Sequence, residues 1–217
     1  KDIAYFHYLF WPAVLKGAGF PLPVLTTHGF VNLNSSKMSK SRGNYFSAAE
    51  FFELFGAEGL RFYYANRLDR SIVDLDLSLD DFEAVNNKVL IANLGNFCYR
   101  SLSFAAKYYS QGFDKVANGD DEQKLVEEFN KLVHSPNGVK DCYYGQNFKG
   151  AVKLILQISD LGNVYFQKLE PWKKRESEEG EKLVCEKIAF ILNLARNLSI
   201  LIKPILPEFS AKIEKSF

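Results

Sequence analysis

Methionine occurs once and cysteine three times in this 217-residue chain, and neither sign of charge is in clear excess. The cysteines (Cys98, Cys142 and Cys185) are widely spaced, with no Cys-x-x-Cys pair. That spacing argues against a zinc knuckle within the chain. An odd number of scattered thiols fits a reducing, cytoplasmic setting. A formal charge of +1 rules out a general polyanion sponge, so any nucleic-acid binding has to come from local patches. No apolar run reaches the roughly 18 residues that read as a membrane-spanning helix. No signal peptide opens the chain, and internal repeats and low-complexity tracts are lacking. Apolar side chains nevertheless make up 47% of the residues, which at this length supports one or two domains with real cores.

The densest chemistry lies in Ser36-Lys37-Met38-Ser39-Lys40-Ser41-Arg42-Gly43-Asn44. Ammonium groups are compact point charges and hydroxyls donate hydrogen bonds, so such a loop can wrap a polyphosphate. Gly43 lets the chain turn back where a Cβ would obstruct it. Two lysines in a polar loop are by themselves more often a solvated turn; the full Lys37-Met38-Ser39-Lys40-Ser41 string is far more specific. Upstream, residues 2–18 read as a helix capped by Asp2, with Ile3, Phe6, His7, Phe10 and Val14 on one broad face and a kink or break at Pro12. A core helix is the plain reading of its aromatics, but His7 and Trp11 are four apart and project together. Residues 24–31 read as a strand carrying His28-Gly29. His28 reads equally as a hydrogen-bonded structural residue or as a ligand contact.

Ser47 and Glu50 form a capping box ahead of a helix over 48–55. A second helix over 56–66 and a half-exposed strand over 72–77 follow. Ser78-x-x-Asp81 then caps a long helix over 79–108. A loop over 109–120 leads to helices at 121–134, 139–144, 148–169 and 183–202, and to a last short helix after Pro207. A charged, exposed run occupies 173–182. Short connections between such helices predict an antiparallel bundle. Asn96 and Arg100 share a face of the long helix, where an amide and a guanidinium can read a base edge; a merely polar face is the plainer reading. Gly95 in mid-helix costs stability, which points to close approach of a helix or RNA. Trp172, after Pro171 at a helix end, can stack on a nucleobase if exposed. Lys173, Lys174 and Arg175 beside it either hold phosphates or form a solvated run balanced by Glu176, Glu178 and Glu179.

The loop string resembles the signature loop of class I aminoacyl-tRNA synthetases. The order Lys1-Asp2-Ile3-x-x-x-His7-x-x-x-Trp11-Pro12-Ala13 resembles methionyl-tRNA synthetases, and His28-Gly29, the run Asn93-Leu94-Gly95-Asn96-Phe97-Cys98-Tyr99-Arg100 and Pro171-Trp172 follow the same pattern. The resemblance implies a methionine pocket lined by Ile3, His7 and Trp11. It implies ATP contacts at Asp2, His28, Val31 and Lys40, and transition-state stabilisation by Lys40 with help from Lys37 and Ser39. It implies recognition of the CAU anticodon of methionine tRNA by Asn96, Arg100 and Trp172. Met38 is expected to anchor the loop, and Glu58, where the family usually has Asp, is expected to cost nothing.

The expected fold is mainly α. It comprises the end of a Rossmann-like catalytic domain (1–23), a small α/β stem-contact region with the loop (24–77), and an antiparallel α-helical anticodon-binding bundle (78–217). The intact parent is expected to join methionine to its tRNA, with ATP and Mg2+ as substrate. No metal ligand is expected within this chain, zinc is expected outside it, and no membrane partner is implied. The family's His-Ile-Gly-His string is absent. The chain is therefore expected to be a fragment lacking the N-terminal catalytic half and unable to form adenylate alone. Two alternatives stay open: a sister class I synthetase of the cysteinyl or leucyl type, and a non-catalytic helical RNA-binding or scaffold module that kept the loop as a relic.

Overall fold

The computed structural model describes residues 3–69 and 71–217. The first helix is present, but its winding changes at the proline. Phe6–Phe10 form a π turn, in which the Trp11 N–H reaches the Phe6 carbonyl, and α1 runs Trp11–Gly17. In a regular α-helix the Pro12 ring would collide with the carbonyl four residues back; the wider winding lies immediately ahead of it. No layer of described residues covers this helix, so Tyr5, Phe6, Leu9, Phe10 and Trp11 are exposed rather than core.

The strand anticipated over 24–31 begins only at Val31. Residues 25–28 turn their polar groups sideways instead. Thr27 donates to Tyr8 Oη at 2.8 Å, Thr26 bonds Gln146, and His28 bonds the Asp69 carbonyl. Regular pairing starts where Leu75 N–H meets the Phe30 carbonyl at 2.8 Å. Strands β1 (Val31–Leu33), β2 (Ser36–Lys37) and β3 (Leu75–Leu77) form a sheet in the order β2-β1-β3, antiparallel then parallel. The two-residue turn Asn34-Ser35 has φ of 50° and 60°, the left-handed geometry that matches strand twist. Asp76 ties it down, accepting from Ser35 N at 2.7 Å and Ser35 Oγ at 2.8 Å. Gly29 is needed because the Val73 carbonyl oxygen lies 2.2 Å from where a Cβ would stand.

Helix α2 (Ala48–Phe55) carries the anticipated capping box: Ser47 Oγ accepts from Glu50 N, and Glu50 Oε2 accepts from Ser47 N. After α3 (Ala57–Arg67) and β3, α4 (Leu79–Ala84) starts on its Ser78 cap. Phe51, Phe82 and Tyr63 pack edge-on or tilted at 5.0–5.7 Å and make the core of this part. Asp81 accepts from Tyr63 Oη and from Arg67.

The long helix over 79–108 is continuous, but Val85–Gly95 is wound as π-helix between α4 and α5 (Asn96–Tyr108). The widening starts where Asn86 Nδ2 captures the Phe82 carbonyl at 2.9 Å, a side-chain intrusion into the backbone ladder.

The remaining helices are α6 (Asp120–His134), α7 (Val139–Tyr144), α8 (Phe148–Leu169), α9 (Pro171–Lys174), α10 (Glu178–Ile202) and α11 (Pro207–Glu214). They close a bundle whose centre holds Ile155, Ile158, Ile188, Ile191 and Leu198. Helix α10 therefore begins inside the run anticipated as merely charged and exposed, because Ser177 Oγ caps Gly180 N.

Close approach of another helix occurs at a different glycine. A Cβ on Gly95 would make only ordinary contact, 3.6 Å from the Leu90 carbonyl of its own helix. A Cβ on Gly162 of α8 would stand 2.6 Å from the Phe97 ring and 3.0 Å from Leu194. Helices α5, α8 and α10 meet there. Gly162→Ala should lower stability by about 1–3 kcal/mol through overpacking, read as a lower urea midpoint with an unchanged slope; an unchanged midpoint would show that the contact yields.

One buried charge stands beside this core. Glu122 of α6, 2% exposed, accepts from Lys187 Nζ at 2.5 Å, from Tyr165 Oη, and from Gly119 N at 2.8 Å. Burial opposes its charge, but Lys187, Tyr165 and the Gly119 N–H outweigh it and hold the carboxyl at about 2. The folded value lies below the ordinary 4.5. This contribution to stability is therefore complete above that value and is lost as pH falls toward about 2. Chemical denaturation between pH 6 and about pH 2.5 should show an acid-side loss that Glu122→Gln flattens.

Candidate functional site

Two regions gather the residues singled out in the sequence. In the first, Ser39 and Asn44 close the loop through reciprocal backbone bonds of 2.9 and 3.2 Å. Lys40–Arg42 form a 3-10 turn at its tip, and Gly43 with φ +68° allows the return. Lys40 and Arg42 are exposed, and Lys40 Nζ lies 5.8 Å above the Tyr45 ring. Lys37, opposite Asn32 on β2, sits 4.5 Å above the Phe30 ring. Ser39 Oγ is 3.1 Å from Ser41 Oγ. Met38 is half-buried and packs on the core, so it anchors the loop.

Beside the sheet, a cavity of about 290 Å³ brings Ile3, His7 and Tyr8 together with Thr27 and His28. Trp11, one turn beyond His7, does not line it. His7 Nδ1 lies 3.0 Å from the Ile3 carbonyl. His28 Nδ1 lies 2.8 Å from the Asp69 carbonyl, an acceptor only, so Nδ1 is the donor of that bond. The same ring borders a second cavity of about 340 Å³ with Arg61, Tyr64 and Phe148. Val31 is half-buried at the start of β1, opposite Leu75. Asp2 lies outside the described residues.

The second region lies where α5 meets the end of α8. The Arg100 guanidinium stacks 4.7 Å from the Phe166 ring centre and donates from Nη2 to Gln167 Oε1 at 3.1 Å. The Trp172 ring lies 6.4 Å from the same Phe166 ring, tilted by 39°, and remains 42% exposed. Phe166 thus joins Arg100 to Trp172, and Asn96 is exposed one turn ahead of Arg100. Glu170 swings the chain into α9 with φ +44°, a left-handed conformation, and Pro171 is buried. Neither Phe166 nor Glu170 stood out in the sequence: one reads as a core aromatic, the other as a helix-end charge.

The neighbouring cations divide. Lys173 pairs with Glu170 at 2.7 Å; Arg175 pairs with Glu181 at 3.1 Å and covers the Tyr108 ring at 3.8 Å. Their partners are not the anticipated Glu176, Glu178 and Glu179. Lys174 is exposed and forms no ion pair among the described residues. Among the described residues no group of three or more His, Cys, Asp or Glu could hold a metal ion. Burial pushes the Cys98 thiol up to about 12, which leaves it unreactive. No helix of the described residues is long and apolar enough to cross a membrane.

Known proteins match both regions. Residues 1–102 fit the family model described as tRNA synthetases class I (M), and residues 114–217 fit the anticodon binding domain of methionyl tRNA ligase. Methionine–tRNA ligases from two strains of Buchnera aphidicola are 32% identical over 99% of this chain, which spans 38% of their length. A Mycobacterium tuberculosis methionyl-tRNA synthetase in complex with methionyl-adenylate superposes with a TM-score of 0.87 at 28% identity, over 98% of this chain and 42% of that one. Its apo form gives 0.82 at 25% identity, over 98% and 41%.

The left-handed Glu170 that aims Trp172 stores backbone strain, which a glycine would relieve by about 1 kcal/mol. The same substitution removes the ion pair with Lys173, an exposed pair of comparable or smaller worth. Glu170→Gly should therefore leave the thermal midpoint unchanged or raise it, and Glu170→Val should lower it, as followed by circular dichroism.

Proposed function

The chain belongs to the methionyl-tRNA synthetase family of class I enzymes, and on that basis we propose that it supplies three working parts of a methionine–tRNA ligase. These are the cationic loop over the nucleotide, one wall of the methionine pocket, and the anticodon-reading end of the bundle. In this reading the methionine carboxylate attacks the α-phosphate of ATP in line and pyrophosphate leaves. A ribose hydroxyl of the tRNA's terminal adenosine then takes the methionyl group from the adenylate, and AMP leaves. Negative charge grows on the transferring and departing phosphates, and cations held near it lower the barrier. Lys40, at the tip of the closed loop, is the principal cation; Lys37 and Ser39 assist it. The magnesium of this reading travels with the nucleotide's phosphates, as part of the substrate.

On the amino-acid side, Ile3 and His7 line the small cavity and Trp11 extends the same helix, surfaces on which a thioether packs well. On the nucleotide side His28, held through Nδ1 by the Asp69 carbonyl, and Val31 contact ATP in this reading, and Asp2 is a further ATP contact by family resemblance. The division of labour follows the segments 1–23, 24–77 and 78–217. The partners are methionine, ATP, the rest of the catalytic domain and a methionine tRNA carrying CAU.

The observation that carries this reading is the Arg100–Phe166–Trp172 stack, with the Asn96 amide exposed beside it. It offers a base both an edge reader and a face to stack on. A labelled anticodon hairpin bearing CAU should bind more tightly than one with the cytosine replaced, at two salt concentrations. Trp172→Ala should remove that preference, weakening CAU binding by about 1–3 kcal/mol. Equal, salt-sensitive binding of both hairpins would mean phosphate attraction alone and would reject the anticodon assignment.

A further inference from the structure

The base-reading pair has an aromatic on each side. Helix α5 advances by about 100° per residue. Its buried residues Phe97, Cys98, Ser101 and Ala105 define the inward direction. Arg100 leans from the outward face toward α8, where it meets Phe166 and Gln167. Asn96 points outward. Tyr99 stands about 60° beyond Asn96, on the flank away from Arg100. The surface order is thus Trp172, Arg100, Asn96, Tyr99, with Phe166 buried beneath the first two.

Tyr99 is 73% exposed. Among the described residues it makes no hydrogen bond, ring contact or ion–ring contact. Tyr108, at the opposite end of α5, has its ring covered by Arg175 and Lys107. A single exposed aromatic needs no explanation by itself. What distinguishes Tyr99 is its position: one turn from Asn96, adjacent in sequence to Arg100, and with an open ring face. An aromatic so placed is the kind of surface on which single-stranded bases stack, independent of base identity.

We propose that Tyr99 is a second base-stacking platform, which takes a nucleobase of single-stranded RNA next to the one stacked on Trp172. The proposal rests on the anticodon reading above and adds a subsite to it. Asn96 and Arg100 supply sequence selectivity for one base, whereas Tyr99 holds a neighbour through its face and leaves that neighbour's edge unread.

Hairpin binding by fluorescence anisotropy tests this on three hairpins, CAU and two in which the uridine or the adenosine is abasic, with the cytosine-replaced hairpin above run alongside to read the cytosine preference. Tyr99→Ala should raise the Kd for CAU roughly tenfold, and Tyr99→Phe should change it by less than about twofold. The alanine penalty should vanish on one of the abasic hairpins, because the base that Tyr99 holds is then missing. The Tyr99→Ala thermal midpoint should match wild type, since the side chain is exposed. A wild type that prefers cytosine while Tyr99→Ala binds as well as wild type would overturn the proposal and leave the anticodon reading standing. An equal alanine penalty on all three hairpins would also overturn it, because the ring would then act on the fold and not on a base. A wild type without cytosine preference would remove the underlying reading and the proposal with it.

Discussion

Helices α5, α8 and α10 come together at a point that leaves no room for one methyl group. Gly162 presents bare backbone to the Phe97 ring and to Leu194. The rest of the bundle follows from that approach. With α8 drawn in, Ile155 and Ile158 on one side and Tyr165, Phe166 and Leu169 on the other are buried. Phe166 is thereby held where Arg100 can cover it and Trp172 can lean on it. Affinity for a base would come from exposed groups, but their mutual placement is set by a buried apolar contact. The ionic group Glu122, Lys187 and Tyr165 braces the same helix from the α6 side. A charge this buried is tolerated because each carboxylate oxygen has a donor.

The front of the chain is joined to the bundle by two side chains three apart on α3. Arg61 donates to the Pro204 and Ile205 carbonyls at 2.8 Å each, at the end of α10. Glu58 accepts from the Glu208 and Phe209 N–H groups at 2.6 and 2.9 Å, at the start of α11. The two together satisfy orphan groups at both sides of one helix corner. They also give Glu58 a structural role: it reaches the backbone of a helix about 150 positions later in the chain. Tyr143, bonded to the Leu201 carbonyl at 2.6 Å, secures the same corner from α7.

Much of this was legible from the residues. Local signals such as the Ser47/Glu50 box, the Ser78 cap and the spacing of apolar residues from 148 to 202 depend on neighbours within a turn or two, and they translated directly into elements. The loop string 36–44 likewise folds as a closed turn with its cations outward, because Gly43 and the Ser39–Asn44 bridge are local. Misreadings arose where a distant group decides the outcome. Residues 24–30 have strand-like composition but find side-chain partners at Tyr8, Asp69 and Gln146 in place of a neighbouring strand. Gly95 and Gly162 look alike as mid-helix glycines, and only the tertiary packing distinguishes them. The π winding from Val85 leaves no periodic trace that a 3.6-residue pattern would flag. Glu170 carries no signal for a left-handed conformation, since residues other than Gly, Asn and Asp seldom adopt it.

Helix α8 is a rod of 22 residues, about 33 Å long. At its start Phe148 borders the His28 cavity, and Lys149 pairs with Asp69, whose carbonyl holds His28. At its far end are Phe166, Gln167 and the turn to Trp172. The tight contact at Gly162 lies nearer the second end than the first, roughly 10 Å against roughly 21 Å along the axis. In mechanical terms α8 is a single buried strut that bears both ends, with its tightest contact set off-centre. A strut packed from Ala151 to Leu169 ties the position of the His28 cavity to that of the Trp172 turn through one continuous backbone.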